Sequence, residues 1–279
     1  MPQTSGAELS LDRLVALAGL ATAPAPQGLS QGLAGGLSGR RRGDGGDLFD
    51  LRPFRDGDDL RRIDPAATAR SGRPQVRSRH EEVEQSLLLV ADFRRPMLWG
   101  TKGRFRSVAA AEALALSGWR AVRAGGRVGL MILGTGDAEL LAPRPREASM
   151  LRIAGALARA HAGALAAPAD RHDALADLID LVTERAAPGM AILLATGLDD
   201  PGAGFGPSAA TLMRKCPFEV LLVQDAVETA PPPGRFAAVI GARLHRGRFG
   251  PSGSAELLER HGIPTRIIRA EHPVEAQAA

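Results

Sequence analysis

Tyrosine is absent from this chain, aromatic residues make up only 4% of it, and Cys216 is its one cysteine in 279 residues. Each scarcity excludes something. A lone cysteine permits no intrachain disulfide and no cysteine-rich zinc motif, and it fits a reducing compartment. With few rings available, alanine, leucine and glycine must fill the interior, so helices and sheet approach closely. No apolar run reaches the roughly 20 residues of a membrane span. Glu8, Asp12 and Arg13 interrupt the N-terminal stretch where a signal peptide would be apolar. These features lead to the expectation of a soluble, cytoplasmic protein with no membrane insertion.

The usual catalytic motifs are missing as well. There is no GxxxxGK[ST] phosphate loop, and Gly134-Thr135-Gly136 and Gly202, Gly204 and Gly206 lack dinucleotide-fingerprint spacing, so both read as turns. Gly250-Pro251-Ser252-Gly253 is not a GxSxG nucleophile elbow. Histidines at 80, 161, 172, 245, 261 and 272 form no HxxxH or His/Cys pair of zinc-ligand spacing. Cys216, just before Pro217, reads as a buried small hydrophobe. No cofactor is expected.

Lysine is scarce too, with Lys102 and Lys215 the only two, and the net charge is +4 despite an isoelectric point near 10.3. Arginines mostly alternate with acids, and Arg40-Arg41-Arg42 is the only basic run. A nucleic-acid partner would need a one-signed patch, so none is expected.

What is present is an alternation of apolar strands with helices. Leucines and valine at 11, 14, 15, 17 and 20 have helical spacing over 10–21, followed by a Pro/Gly/Ser-rich connector over 22–39. Residues 48–54 read as extended, 58–69 as a short helix begun by Asp58 or Asp59, and 75–84 as a strand. Beyond these, strands are expected at 86–92, 127–133, 190–196, 218–224, 236–240 and 264–269. Helices are expected at 105–124, 147–163, 172–186, 207–215 and 252–261, with a loose tail from Glu271. The pattern implies an α/β fold, a mostly parallel sheet with helices on both faces. The expected division is an arm and linker at 1–39, a charged subdomain at 40–84, the α/β domain at 85–270 and a tail at 271–279.

In such a sheet ligands bind beyond the carboxyl ends of the strands, which selects the loops 92–104, 134–147, 168–172, 196–207 and 224–235. Asp92 ends the most apolar strand and needs a cation, an arginine or backbone amides. Arg94, Arg95, Arg104 and Arg106 lie nearby, so a salt-bridged aspartate is the expected reading.

The segment DLFDLRPFRDGDDLRRIDPAATARSGRPQVR, from Asp47, is dense in acids and arginines. It resembles the signature of the domain-of-unknown-function 58 proteins, whose core is Arg-x-x-x-Gly-Asp-Asp-x-Arg-x-Ile-Asp. The similarity continues through Ser86–Met97, Phe105–Leu133 and the Asp225-x-x-Glu228 element, roughly 38–235 in all. Phe54, Pro65 and Leu48 depart from the usual Tyr, Trp and Glu. The resemblance implies a von Willebrand factor A-like (Rossmann-like) sheet and an association with MoxR-type AAA+ ATPases.

In metal-binding members of that fold, Asp-x-Ser-x-Ser supplies ligands to Mg²⁺. Here the run is Asp92-Phe93-Arg94-Arg95-Pro96, so a degenerate site is expected, with an arginine paired to Asp92 in place of the ion. The implied function is that of a non-catalytic adaptor or scaffold that binds a protein partner. The candidate contact or salt-bridge residues are Arg52, Asp56, Gly57, Asp58, Asp59, Arg61, Arg62, Asp64 and Arg70. Asp92, Arg94 and Arg95 form a candidate interaction loop. The alternative is a metal-dependent hydrolase using Asp92, Asp199, Asp200 and His172.

Overall fold

The computed structural model describes residues 6–22, 50–54, 60–78, 86–134, 138–167, 173–240, 243–248, 250 and 252–277. Contacts divide the chain into two compact units, Ser38–Glu84 and the combination of Met1–Leu37 with Gln85–Ala279.

In the larger unit the chain begins with helix α1 (Leu11–Ala16), capped by the Ser10 side chain and continued by a 3-10 turn over Leu17–Thr22. The smaller unit pairs β1 (Asp50–Pro53) with β2 (Gln75–Ser78) antiparallel, and helix α2 (Pro65–Ser71) connects them. The helix expected over 58–69 starts later, at Pro65. The proline disfavours helical backbone at the residue before it, while its own missing N–H is no loss in a first turn. Asp64 therefore becomes the cap, accepting the Ala67 amide at 2.9 Å, and Gly72 closes the helix at φ 67°. Asp58 and Asp59, the expected initiators, lie outside the described residues.

The rest of the larger unit is built on β3 (Ser86–Asp92), α3 (Arg106–Arg123), β4 (Arg127–Leu133), β5 (Glu139–Arg144), α4 (Glu147–Ala166) and α5 (Leu175–Arg185). It continues with β6 (Ala191–Thr196), α6 (Phe205–Lys215), β7 (Phe218–Gln224), α7 (Ala226–Thr229), the hairpin β8 (Phe236–Ile240) and β9 (Arg243–Gly247), α8 (Ser254–Arg260), β10 (Thr265–Arg269) and α9 (Val274–Gln277). Six strands form one sheet in the order β10-β7-β6-β3-β4-β5, parallel except for β5.

Period-two alternation divides β3 between two cores. Leu87, Leu89 and Ala91 face α3 and α4, while Leu88 and Val90 face α5 and α6. The scarcity of rings shows in the packing. A Cβ on Gly118 of α3 would stand 2.7 Å from Met150 Sδ and 3.0 Å from Leu89 Cδ1, so helix and sheet meet at a bare backbone.

Three expectations are corrected. Residues 139–144, inside an expected loop, are the antiparallel edge strand β5, whose largely exposed residues and Pro143 suit an edge. The segment after 240 returns as β9, completing a hairpin where a single short strand was expected. The tail from Glu271 is tied down: Val274 is buried, and the Gln277 side chain accepts the Arg269 amide at 2.6 Å and donates to the Arg269 carbonyl at 3.0 Å. The N-terminal arm packs on the body of its own unit. Leu14 and Leu17 are fully buried, and Trp119 donates its indole N–H to the Leu14 carbonyl at 2.9 Å.

Candidate functional site

The chain leaves β3 toward β4 on one side and later returns to β6 on the other, so the switch point of strand order lies between β3 and β6. Open α/β sheets bind ligands at the carboxyl ends of such a pair. Asp92 ends β3 and Thr196 ends β6, and both side chains are fully buried there.

The crevice is filled from within the chain. Arg94, two residues beyond Asp92 and fully buried, folds its guanidinium back onto that carboxylate. Nε donates to Oδ1 at 3.0 Å and Nη2 to Oδ2 at 2.9 Å. This bidentate fork is the strong form of an arginine–carboxylate pair. The Arg94 amide also donates to Asp92 Oδ1 at 3.0 Å, and Thr196 Oγ1 donates to Oδ2 at 2.7 Å.

The remaining guanidinium hydrogens reach carbonyl oxygens of two other loops. Nη1 donates to Asp173 at 2.9 Å and to Asp200 at 3.4 Å, and Nη2 to Asp199 at 2.9 Å. All five N–H donors of Arg94 are thereby used. Leu198 at φ 61° and Asp200 at φ 44° hold left-handed backbone that non-glycine residues avoid. That turn aims two carbonyls at one cation, and the Leu198 amide donates to Thr196 Oγ1 at 3.0 Å to hold it.

A second buried arginine lies beside the first. Arg106 donates to Asp199 Oδ2 at 2.8 Å, to Glu228 Oε2 at 3.2 Å and to the Pro96 carbonyl, with its guanidinium 4.5 Å from the centre of the Trp99 ring. A Cβ on Gly197 would stand 2.5 Å from Arg106 Nη1 and 2.6 Å from Asp199 Oδ2, so a larger residue there would have to displace that ion pair. Burial raises the Glu228 carboxyl above its ordinary pKa, against the opposing pull of Arg106 and the Asp225 amide.

The Asp225-x-x-Glu228 spacing has a local cause. Asp225 caps α7, accepting Val227 N–H at 3.0 Å, while Glu228 reaches back to the Asp225 amide at 2.7 Å, a capping box. Asp225 also accepts the Thr101 amide at 2.7 Å and the Thr101 hydroxyl, which joins the 92–104 loop to the end of β7.

A divalent cation does not fit these residues. Mg²⁺ asks for near-octahedral oxygen ligands, whereas both Asp92 oxygens are held by the guanidinium and Asp199 is held by Arg106. Among the described residues no three His, Cys, Asp or Glu side chains converge on one point. The hydrolase alternative loses two carboxylates in this way. Asp200 contributes its carbonyl, and His172 lies outside the described residues.

The other expected residues are placed as follows. Arg95 is exposed, unlike the buried Asp92 and Arg94. Arg52 lies on β1 and Arg62 in the 3-10 turn Leu60–Arg62. Arg61 is exposed, Asp64 caps α2, and Arg70 is an exposed residue donating to Ala66 of its own helix at 3.2 Å. Asp56, Gly57, Asp58 and Asp59 lie outside the described residues. Thr101 and Thr196 were not among the expected site residues. The signal for Thr196 was there, since it ends an apolar strand just as Asp92 does.

Two reactive-looking groups are structural. Ser107 Oγ and His161 Nε2 are 2.8 Å apart, the spacing of a nucleophile and its base, but both residues are at most 1% exposed, so no substrate reaches them. Burial holds the His161 pKa down to about 4, and its ring packs edge-on against Phe93 at 5.4 Å. Cys216 is buried, its thiol lies 3.3 Å from the Ala187 carbonyl, and burial raises its pKa.

The family model described as "Protein of unknown function DUF58" matches residues 50–232. Among solved structures, the chain is similar to the conserved hypothetical protein BatB from Bacteroides thetaiotaomicron. The two share 17% identity at a TM-score of 0.44, over 69% of this chain and 93% of that one. It is also similar to an aerotolerance-related membrane protein from Bacteroides fragilis NCTC 9343, with 13% identity and a TM-score of 0.42, over 69% and 96% of the two chains. No curated protein matches. Among the described residues no helix is long and apolar enough to cross a membrane. The matched segment is more than half of the sequence and the sheet is von Willebrand factor A-like, so this chain belongs to the DUF58 family.

Proposed function

We propose that this protein is a non-catalytic interaction module, an adaptor or scaffold that works with a MoxR-type AAA+ ATPase in the assembly or maturation of a client complex. The observation that carries the reading is the saturation of Arg94. At the place where an open α/β sheet holds its ligand, the chain's own guanidinium neutralises Asp92 and binds the loops at 173 and 199–200. No acceptor on Asp92 and no donor on Arg94 is left for a substrate.

The arrangement favours display over chemistry. The loops are fixed without help from a bound ion, and Arg95, Lys102 and Asp200 on those loops stay exposed. A partner that docks there meets a preformed surface, which lowers the ordering cost of binding.

A pull-down from native lysate, with and without nucleotide, tests the partnership. Recovery of an AAA+ ATPase that is reduced by Arg95→Glu supports it, and recovery of no such ATPase under either condition counts heavily against it. Asp59→Ala separates the roles of the charged signature. Lost capture at an unchanged melting temperature indicates a contact surface, and a lowered melting temperature indicates a structural network.

A further inference from the structure

An acid-free run of arginines follows the segment matched to the family. Between Glu228 and Glu256 the sequence has four arginines, at 235, 243, 246 and 248, and no acidic residue. The stretches 65–80 and 93–111 hold four and five basic residues without an acid, so what distinguishes this run is its place. It lies beyond the segment matched to the family, which ends at residue 232.

The structure makes this segment a hairpin of its own. Strands β8 and β9 pair only with each other among the described strands, Phe236 opposite Gly247 and Ala237 opposite Arg246. Along its outer edge β9 has no strand partner among the described residues, so its backbone N–H and C=O groups there are a template for a further strand. Leu244 is 58% exposed and Phe236 38% exposed, while Arg235, Arg246 and Arg248 are exposed. Leu244 and Arg246, two residues apart on one strand, share a face.

We infer that the β8–β9 hairpin is a docking element for an acidic, extended segment of a partner protein. The segment adds as a strand along the outer edge of β9 through main-chain hydrogen bonds, Leu244 takes an apolar side chain, and Arg246 and Arg248 take carboxylates. Leu244 decides between protein and nucleic acid. A bare leucine gains nothing from a phosphate backbone but is buried by a peptide side chain, and single-stranded nucleic acid asks for stacked aromatic platforms where this hairpin offers Phe236. The inference does not depend on the adaptor reading, since it concerns neither the Arg94 crevice nor the ATPase.

Fluorescence anisotropy on the full chain, with a short labelled peptide of alternating glutamate and valine, tests it. Saturable binding is expected that weakens with salt, falls roughly tenfold or more in the Arg246→Glu/Arg248→Glu variant and falls several-fold in Leu244→Ser, with circular-dichroism melting unchanged in each. Leu244→Ser keeps all the charge, so its loss of affinity separates docking from nonspecific attraction. Three results overturn the inference: no binding by the parent, equal binding by parent and variants, or tighter binding of a single-stranded oligonucleotide than of the peptide. Self-association of the Arg246→Glu/Arg248→Glu variant without peptide binding by the parent also overturns it, because the arginines would then serve only to keep sheet edges apart.

Discussion

Replacing Arg94 with methionine removes a guanidinium that makes five side-chain hydrogen bonds, two to Asp92 and three to the carbonyls of Asp173, Asp199 and Asp200. Methionine has similar reach and no charge, so the change creates little cavity but leaves the Asp92 carboxylate fully buried without its counter-ion. Removing one member of a buried pair typically costs 3–5 kcal/mol, and with the carbonyls orphaned as well a loss of about 4 kcal/mol is expected. For a unit of this size each kcal/mol shifts the melting midpoint by about 2–4 °C, so a fall of about 10 °C is expected. Urea titration followed by circular dichroism gives the free energy. Asp92→Asn with Arg94→Met completes the cycle. Since the main penalty of the single change is the stranded charge, the double variant recovers about 2 kcal/mol or more relative to Arg94→Met alone. A loss below about 1 kcal/mol for Arg94→Met, or simple additivity in the cycle, refutes the counter-ion argument.

Millimolar Mg²⁺ is expected to leave the parent's melting midpoint unchanged, because Arg94 already occupies Asp92; stabilisation by more than about 1 kcal/mol would contradict this. His161 has a folded pKa of about 4 against an ordinary 6.5, so its neutral form is favoured on folding. Its contribution is complete above pH 6.5 and is lost as pH falls from there toward 4, in total about 3 kcal/mol. His161→Gln removes that slope from stability measured against pH, and an unchanged difference between parent and variant across the range refutes it. Trp119→Phe deletes the bond to the Leu14 carbonyl and should cost about 1–3 kcal/mol, with faster amide exchange or proteolysis confined to residues 10–22. Gly129→Ala places a Cβ 2.7 Å from the Leu141 carbonyl oxygen and 3.0 Å from the Pro143 ring. Neither is a flexible side-chain tip, so a loss of about 2 kcal/mol is expected in a thermal melt.

Legibility followed distance along the chain. The apolar runs of β3, β4, β6 and β7 announced a buried parallel sheet, because strands covered on both faces leave no polar alternation. β5 was hidden, since an exposed edge strand carries little hydrophobic signal. The start of α2 was misplaced because the expected helix over 58–69 put Pro65 in its interior, where it is the first-turn residue. The Asp225-x-x-Glu228 spacing was visible as a motif, and its local half, the capping box, follows from spacing alone. The ion pair from Glu228 to Arg106 spans 122 positions and does not.

The sequence by itself determined the periodicity of strands and helices, and a carboxylate followed two residues on by an arginine where no serine stands at 94 or 96. Those are short-range matters, set by backbone period and side-chain reach. Only the tertiary structure decided that β6 lies beside β3, so that Thr196 joins Asp92 and the carbonyls at 173, 199 and 200 converge on one guanidinium. Sheet order is chosen by how the whole set of apolar faces is buried at once, and that choice turned an adjacent pair of charges into a closed, fully bonded crevice.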